Sequence, residues 1–387
     1  MENEGSKWAD FVPGPDFPPP PRPEGERVNY HSPHTIWEAL EDSEMGAAAD
    51  VKLLSANWMV AWAKTGRPLP KRQDCPKEAF ISILDLKHMY KTAKMNHITG
   101  PKPEHSEEKR LPIIAVSYTW KRGSVDPDPE CNTLRMLVDA YMRRKAEYAS
   151  RGYPDMGFFV DWCSLYQVPR NNEQNLSFRR SLQHIALWYA HALTTVYMVT
   201  DGNGYCGNGT DSPGYHDRGW TSFEFQLSWL IKLADKFNVW PQVVDLAPRP
   251  RPRPPPAPLG AFKEGGHCYG KTVSVPADKL IIGHAFDATI LDVYHSQHVL
   301  DYCGLGWGNV EMRAISAILP LCRNLRTLNL SHNRMSVLPE SLAELKQLRE
   351  LDLSDCLALI KLPDDKIKTL RKAGLAALFL PPQASMM

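Results

Sequence analysis

The chain has no C-x-x-C pair, although eight cysteines are scattered along it at 75, 131, 163, 206, 268, 303, 322 and 356. That excludes a zinc ribbon or thioredoxin-like site and leaves reduced, buried thiols in a cytoplasmic protein as the expectation. Charge of one sign is lacking too. Lys and Arg number 45 against 44 Asp and Glu, a net +1, which predicts no bulk attraction to nucleic acid or to an anionic membrane. Long hydrophobic runs are missing: the most apolar early window, Ala47–Gly66, is broken by Asp50, Lys52 and Lys64. It reads as a buried helix rather than a membrane span. The first thirty residues are acidic and proline-rich, with none of the apolar core of a secretory signal. Without a secretory route, glycosylation matches such as Asn208-Gly-Thr210 carry little meaning.

What the chain does have is proline, 33 of its 387 residues, much of it in two clusters. Residues 1–31 form the first, expected to be a disordered or polyproline II arm. The second, "PRPRPRPPPAP" from Pro248 to Pro258, can be neither helix nor sheet and reads as a stiff linker over 247–262. Arg249, Pro252 and Pro255 match the R-x-x-P-x-x-P pattern of SH3 ligands, a short and common match that predicts a weak contact. Residues 32–110 read as a helical region, with "KEAFISILDLKHMYKTAK" compatible with either strand or helix.

From 111 to 246 the pattern becomes alternating. "PIIAVSYTW", "MGFFVDW" and "LTTVYMVT" are short buried runs suited to strands. Between them lie two amphipathic helices, the first with Leu134, Leu137, Val138 and Tyr141 on one face, the second over "FRRSLQHIALWYAHA". A third helix, with Phe223, Leu227, Leu230, Ile231 and Ala234 on one face, follows a glycine-rich loop. Alternation of this kind predicts an α/β fold, a parallel sheet flanked by helices, with its site at the carboxyl ends of the strands.

After the linker, Leu328, Leu330 and Asn333 recur 23 residues on as Leu351, Leu353 and Cys356. This is the leucine-rich repeat pattern, in which Asn or Cys satisfies backbone groups of the buried turn. An earlier repeat fits Leu300, Cys303 and Leu305, followed by a helix over Val310–Leu319. Three repeats cannot stand alone, so within the region 263–387 they should lean on residues 263–297 and be capped by "DKIKTLRKAGLAALFL".

Glu224 poses the central question. Thr221-Ser-Phe-Glu224 has the form of a helix capping box, which alone would explain the acid. Four blocks taken together suggest more. Ser117, Tyr118 and Trp120; Asp161, Cys163 and Gln167; Tyr189 and Ala192; and Arg218, Trp220 and Glu224 stand in the order of the signature blocks of heterokaryon-incompatibility domains. The last block also resembles the W-x-x-x-E helix start of TIR domains, relatives of that family. The resemblance covers about residues 112–236 and departs from the family at Lys121 and in the spacing from Asp161 to Cys163. It implies a TIR-like sheet and an NAD glycohydrolase chemistry with NAD as substrate and no cofactor. In that chemistry Glu224 stabilises positive charge on the ribose as nicotinamide leaves. Arg218 would hold a phosphate and Trp220 or Trp120 would stack on a ring, with Ser117, Tyr118 and Asp161 completing the substrate site.

Three functions are open on this basis. One is a signalling or immune-type protein whose α/β domain binds or cleaves a nicotinamide nucleotide and whose repeats dock a protein. A second is a non-catalytic scaffold that self-associates through the α/β domain. A third is an enzyme of another class using Asp161 and Cys163, although Cys163 fits a core thiol better. His184 and His191, seven residues apart, have no third ligand at a metal-binding spacing and read as surface or core histidines.

Overall fold

The computed structural model describes residues 27–41, 49–94, 96–97, 107–121, 126–200, 214–233, 240–383 and 385–386. Most of the proline-rich arm, the start of the Ala47–Gly66 window, the loop 201–213 and Ala234 lie outside them.

The central strand Ile113–Tyr118 is buried along its whole length. A strand with no solvent face must be covered on both sides, which is what parallel pairing with crossover helices provides. Gly157–Phe159 pairs with it in parallel on one side and Thr195–Val199 on the other, and Val243–Asp245 extends the sheet beyond Thr195–Val199. The chain therefore steps outward after the central strand, returns past it, and continues in the opposite direction. The point of reversal lies between Ile113–Tyr118 and Thr195–Val199. At such a switch point the loops leaving the two strands part and open a crevice at their carboxyl ends.

Several local expectations need correction. The window around Ala47–Gly66 is not one helix: Leu54–Ser55 is an antiparallel edge strand on Gly157–Phe158, and among its described residues only Ala56–Ala63 is helical. The segment 32–110 thus supplies part of the sheet. The ambiguous stretch after it is a helix, Ile83–Thr92, capped by the Ser82 side chain on the Asp85 amide. The second crossover is two helices, Asn172–Gln183 and Ile185–Ala190, broken at His184. The helix of Glu224 runs only over Gly219–Ser228.

The repeats form a second parallel sheet from Val299–Asp301, Thr327–Asn329, Glu350–Asp352 and Ala377–Phe379. Leu300, Leu328 and Leu351 stand in register across it, and Leu328, Leu330, Leu351 and Leu353 are all fully buried, as the 23-residue recurrence requires. Asn333 donates from Nδ2 to the carbonyls of Leu330 (2.9 Å) and Tyr302 (2.8 Å). One repeat later Cys356 Sγ reaches Leu330 O at 3.2 Å. These are the buried turn carbonyls that the Asn/Cys position exists to satisfy. The cap ends its helix, Asp364–Ala373, at Gly374, whose φ of 109° suits glycine, and then adds the fourth strand.

The repeats lean on the long helix Asp278–Ser296, and one continuous apolar core runs from the first sheet through this helix into the repeats. The proline-rich segment is not a free spacer. Its Arg253 is buried and donates to Trp229 O (2.6 Å) and Asp301 O (3.4 Å), with its guanidinium 5.1 Å from the Tyr302 ring centroid. Trp307 Nε1 in turn donates to Arg253 O at 2.9 Å. Arg249 and Pro252, two of the three SH3-type positions, remain exposed.

Candidate functional site

The helix of Glu224 begins where two chain segments approach closely. Gly219 N donates to Thr272 O at 2.7 Å, and a Cβ at Gly219 would meet Val273 Cγ1 at 2.6 Å. This contact sets the helix start at Arg218, the N-cap, three residues before the Thr221 of the supposed capping box. The capping reading is overturned: Thr221 lies inside the helix and its hydroxyl donates to Tyr215 O. Glu224 sits a turn further in, with no cap to make.

Its carboxylate points instead at the end of the central strand. Ser117 Oγ donates to Glu224 Oε2 at 2.6 Å. With that proton committed, the Tyr215 hydroxyl, 2.5 Å away, is the donor to Ser117 Oγ. Tyr189 belongs to the same nest: its hydroxyl donates to Val116 O at 3.2 Å, beside the Glu224 charge. Glu224 is 1% exposed, Ser117 and Tyr189 0% and Tyr215 3%, so this is an interior polar nest rather than the mouth of a cleft. Burial, and then the neighbouring Glu224, push the Tyr189 and Tyr215 phenols well above their ordinary value. Tyr118 is raised as well, chiefly by burial. All three stay neutral, and Tyr189 and Tyr215 serve as hydrogen-bond donors. The nest lies beside the switch point, at the carboxyl end of Ile113–Tyr118.

The other expected site residues divide into two groups. Arg218 and Trp120 meet at the rim: Arg218 Nη1 donates to Trp120 O at 3.0 Å, and the Trp120 ring sits edge-on to Trp162 at 5.3 Å. Trp220 and Asp161 face elsewhere. Trp220 Nε1 donates to Asp278 Oδ2 at 2.8 Å, fastening the Glu224 helix to the long helix that leads into the repeats. Asp161 Oδ1 accepts from the Trp162 amide at 2.8 Å, and its backbone oxygen accepts from Gln167 Nε2 at 2.9 Å. The D…C…Q block is thus an anchor for a strand-end turn. Cys163 is fully buried and burial pushes its thiol well above the ordinary value, so a nucleophilic role with Asp161 is not supported. Tyr215 is a site residue that the sequence does not point to, since no spacing rule links it to Ser117.

His191 is a core residue. Its Nδ1 accepts from Leu193 N (3.1 Å), so the proton is on Nε2, which donates to Ser32 O (2.9 Å). Burial, and then the nearby Lys232, pull its pKa down to about 3. A histidine held neutral in the fold stabilises fully above its ordinary value of 6.5 and progressively less as pH falls toward 3. His191→Gln should lack this titration. Between pH 7 and 4.5 the wild type should lose about 2–3 kcal/mol more than the variant in urea melts, and parallel pH profiles would refute the assignment.

No group of three or more His, Cys, Asp or Glu able to hold a metal occurs among the described residues, and no described helix is long and apolar enough to cross a membrane. A family model of leucine-rich repeats, in two copies, matches residues 323–365. No TIR or heterokaryon-incompatibility model matches. No curated protein and no solved structure matches the chain. The leucine-rich repeats stand on both the match and the structure; such repeats generally mediate protein–protein interactions.

Proposed function

We propose that the chain is a protein-interaction scaffold of the cytoplasm. Its repeats dock a protein partner, and its α/β domain is rigidly joined to them. The observation that carries this reading is the continuous packing between the two parts, through Trp220 on Asp278 and the buried Arg253. The engagement of Asp161, Trp220 and Glu224 by the protein's own groups supports it further. The partner face is the outer face of the repeat sheet, where Glu350 and the exposed Phe379 stand; on the inner face of their strands Leu351 is buried and Leu378 half-buried. A photo-crosslinking residue at Phe379 should capture partner protein in cells. The same residue at Leu84, 75% exposed and far along the chain, should not. Equal capture at both positions would count against this face.

A second reading has its own support. Glu224 and Ser117 sit beside the switch point, where α/β folds bind nucleotides, and their residue blocks resemble those of NAD-cleaving domains. Concentrated protein incubated with NAD is expected to release no nicotinamide under the scaffold reading. Release that Glu224→Gln abolishes would replace that reading with a glycohydrolase.

A further inference from the structure

Two thiols outside the Glu224 nest converge on one carbonyl. Cys163 is fully buried in the helical turn Asp161–Ser164, and Cys75 is half-buried just after the turn Arg72–Asp74. Cys163 Sγ lies 3.2 Å and Cys75 Sγ 3.4 Å from the same oxygen, Pro70 O. Cys75 is also among the groups whose proximity raises the Cys163 thiol. The segments that carry them are clamped together. Arg72 Nη1 donates to Ser164 O at 2.8 Å, Trp162 Nε1 to Leu69 O at 2.9 Å, and Gln73 Nε2 to Gln167 O at 2.6 Å. The two sulfurs are therefore held near one another before any oxidation.

We propose that Cys75 and Cys163 are a reversible disulfide-forming pair, with Cys75 as the entry thiol and a small-molecule disulfide as oxidant. The Cys75 thiolate attacks one sulfur of the oxidant. The oxidant's S–S bond breaks, and the departing thiolate takes up the proton that Cys75 lost. Cys163, deprotonated in turn, attacks Cys75 Sγ and displaces the second small thiolate, which takes up the Cys163 proton. Two protein thiols are oxidised and one external disulfide is reduced to two thiols. Exposure assigns the order, because only Cys75 has access to solvent. The raised thiol of Cys163 makes the second step the slow one. The bond fastens the segment 69–75 to the carboxyl end of the strand Gly157–Phe159. It makes the strand-end turn of the D…C…Q block a redox-sensitive anchor.

The test uses the full chain in native buffer with excess glutathione disulfide, followed by alkylation, intact mass and peptide mapping. The wild type should lose two alkylatable thiols and yield a linked Cys75–Cys163 peptide, and dithiothreitol should reverse both. Cys75→Ser, at a half-buried position, should keep the Cys163 thiol free. Cys163→Ser, if it folds, should stop with glutathione on Cys75. Wild type that keeps both thiols, that stops at glutathionylated Cys75, or that links other cysteines overturns the proposal.

Discussion

Leu351→Ala should lower the unfolding free energy by about 2–5 kcal/mol. Leu351 is fully buried and stands between Leu328 and Leu378 in adjacent strands of the repeat sheet. Truncation removes apolar contact with both neighbours and leaves a cavity that rigid parallel strands cannot close. Because stacked repeats share one core, the loss should be felt by the repeats on either side. Leu357, 71% exposed, provides the control: Leu357→Ala should change stability by no more than about 0.5 kcal/mol. Guanidinium unfolding of both variants measures the contrast. Equal, small effects would mean that the 23-residue recurrence does not mark a common core.

The features legible in the sequence were those set by local pattern. Ile113–Tyr118 and Thr195–Val199 are apolar runs that have no stable position except inside a sheet, and they pair in parallel as expected. The repeats were legible because their leucines recur at a fixed period that only stacking explains. The features that were not legible are set by contacts between distant segments. Leu54–Ser55 becomes an edge strand because Gly157–Phe159 offers it an open edge. The proline-rich segment forms neither helix nor strand, as its composition requires. Composition could not reveal that Arg253 is drawn inward by Trp229, Tyr302 and the carbonyl of Asp301.

Glu224 shows how the local rule fails. S/T-x-x-E is a good capping signal when the helix start is free to be set by its own residues. Here the start is set by Gly219 against Thr272 and Val273, so the pattern falls one turn inside the helix. The same displacement carries the carboxylate to Ser117. The block comparison did single out Ser117 and Glu224, and the structure does bring them together; Tyr118, the next residue along the strand, makes no contact with them that the structure shows. Nor does the fold bring Asp161 or Trp220 to the same place.

Substitution at Glu224 should separate its possible roles. Glu224→Ala removes the acceptor for Ser117 and leaves that buried hydroxyl unsatisfied, which costs about 1–3 kcal/mol, and the lost volume adds to that. The total should be roughly 3–5 kcal/mol. Glu224→Gln keeps the volume and one acceptor oxygen for Ser117, but its amide protons must face a cluster of donors. A smaller loss, about 1–2 kcal/mol, is expected. If the nest is a linked network, Ser117→Ala and Glu224→Gln should be non-additive, with a coupling of about 0.5–3 kcal/mol in a double-mutant cycle. Val337→Ala, at an exposed position of the repeats, should combine additively with either. Additivity of the Ser117 and Glu224 variants would mean that the 2.6 Å contact contributes nothing to the fold. A large coupling together with unchanged partner crosslinking at Phe379 would make the nest a structural centre of the α/β domain. A large coupling in a protein that also releases nicotinamide would instead identify the Tyr215–Ser117–Glu224 chain as the support that positions a catalytic carboxylate.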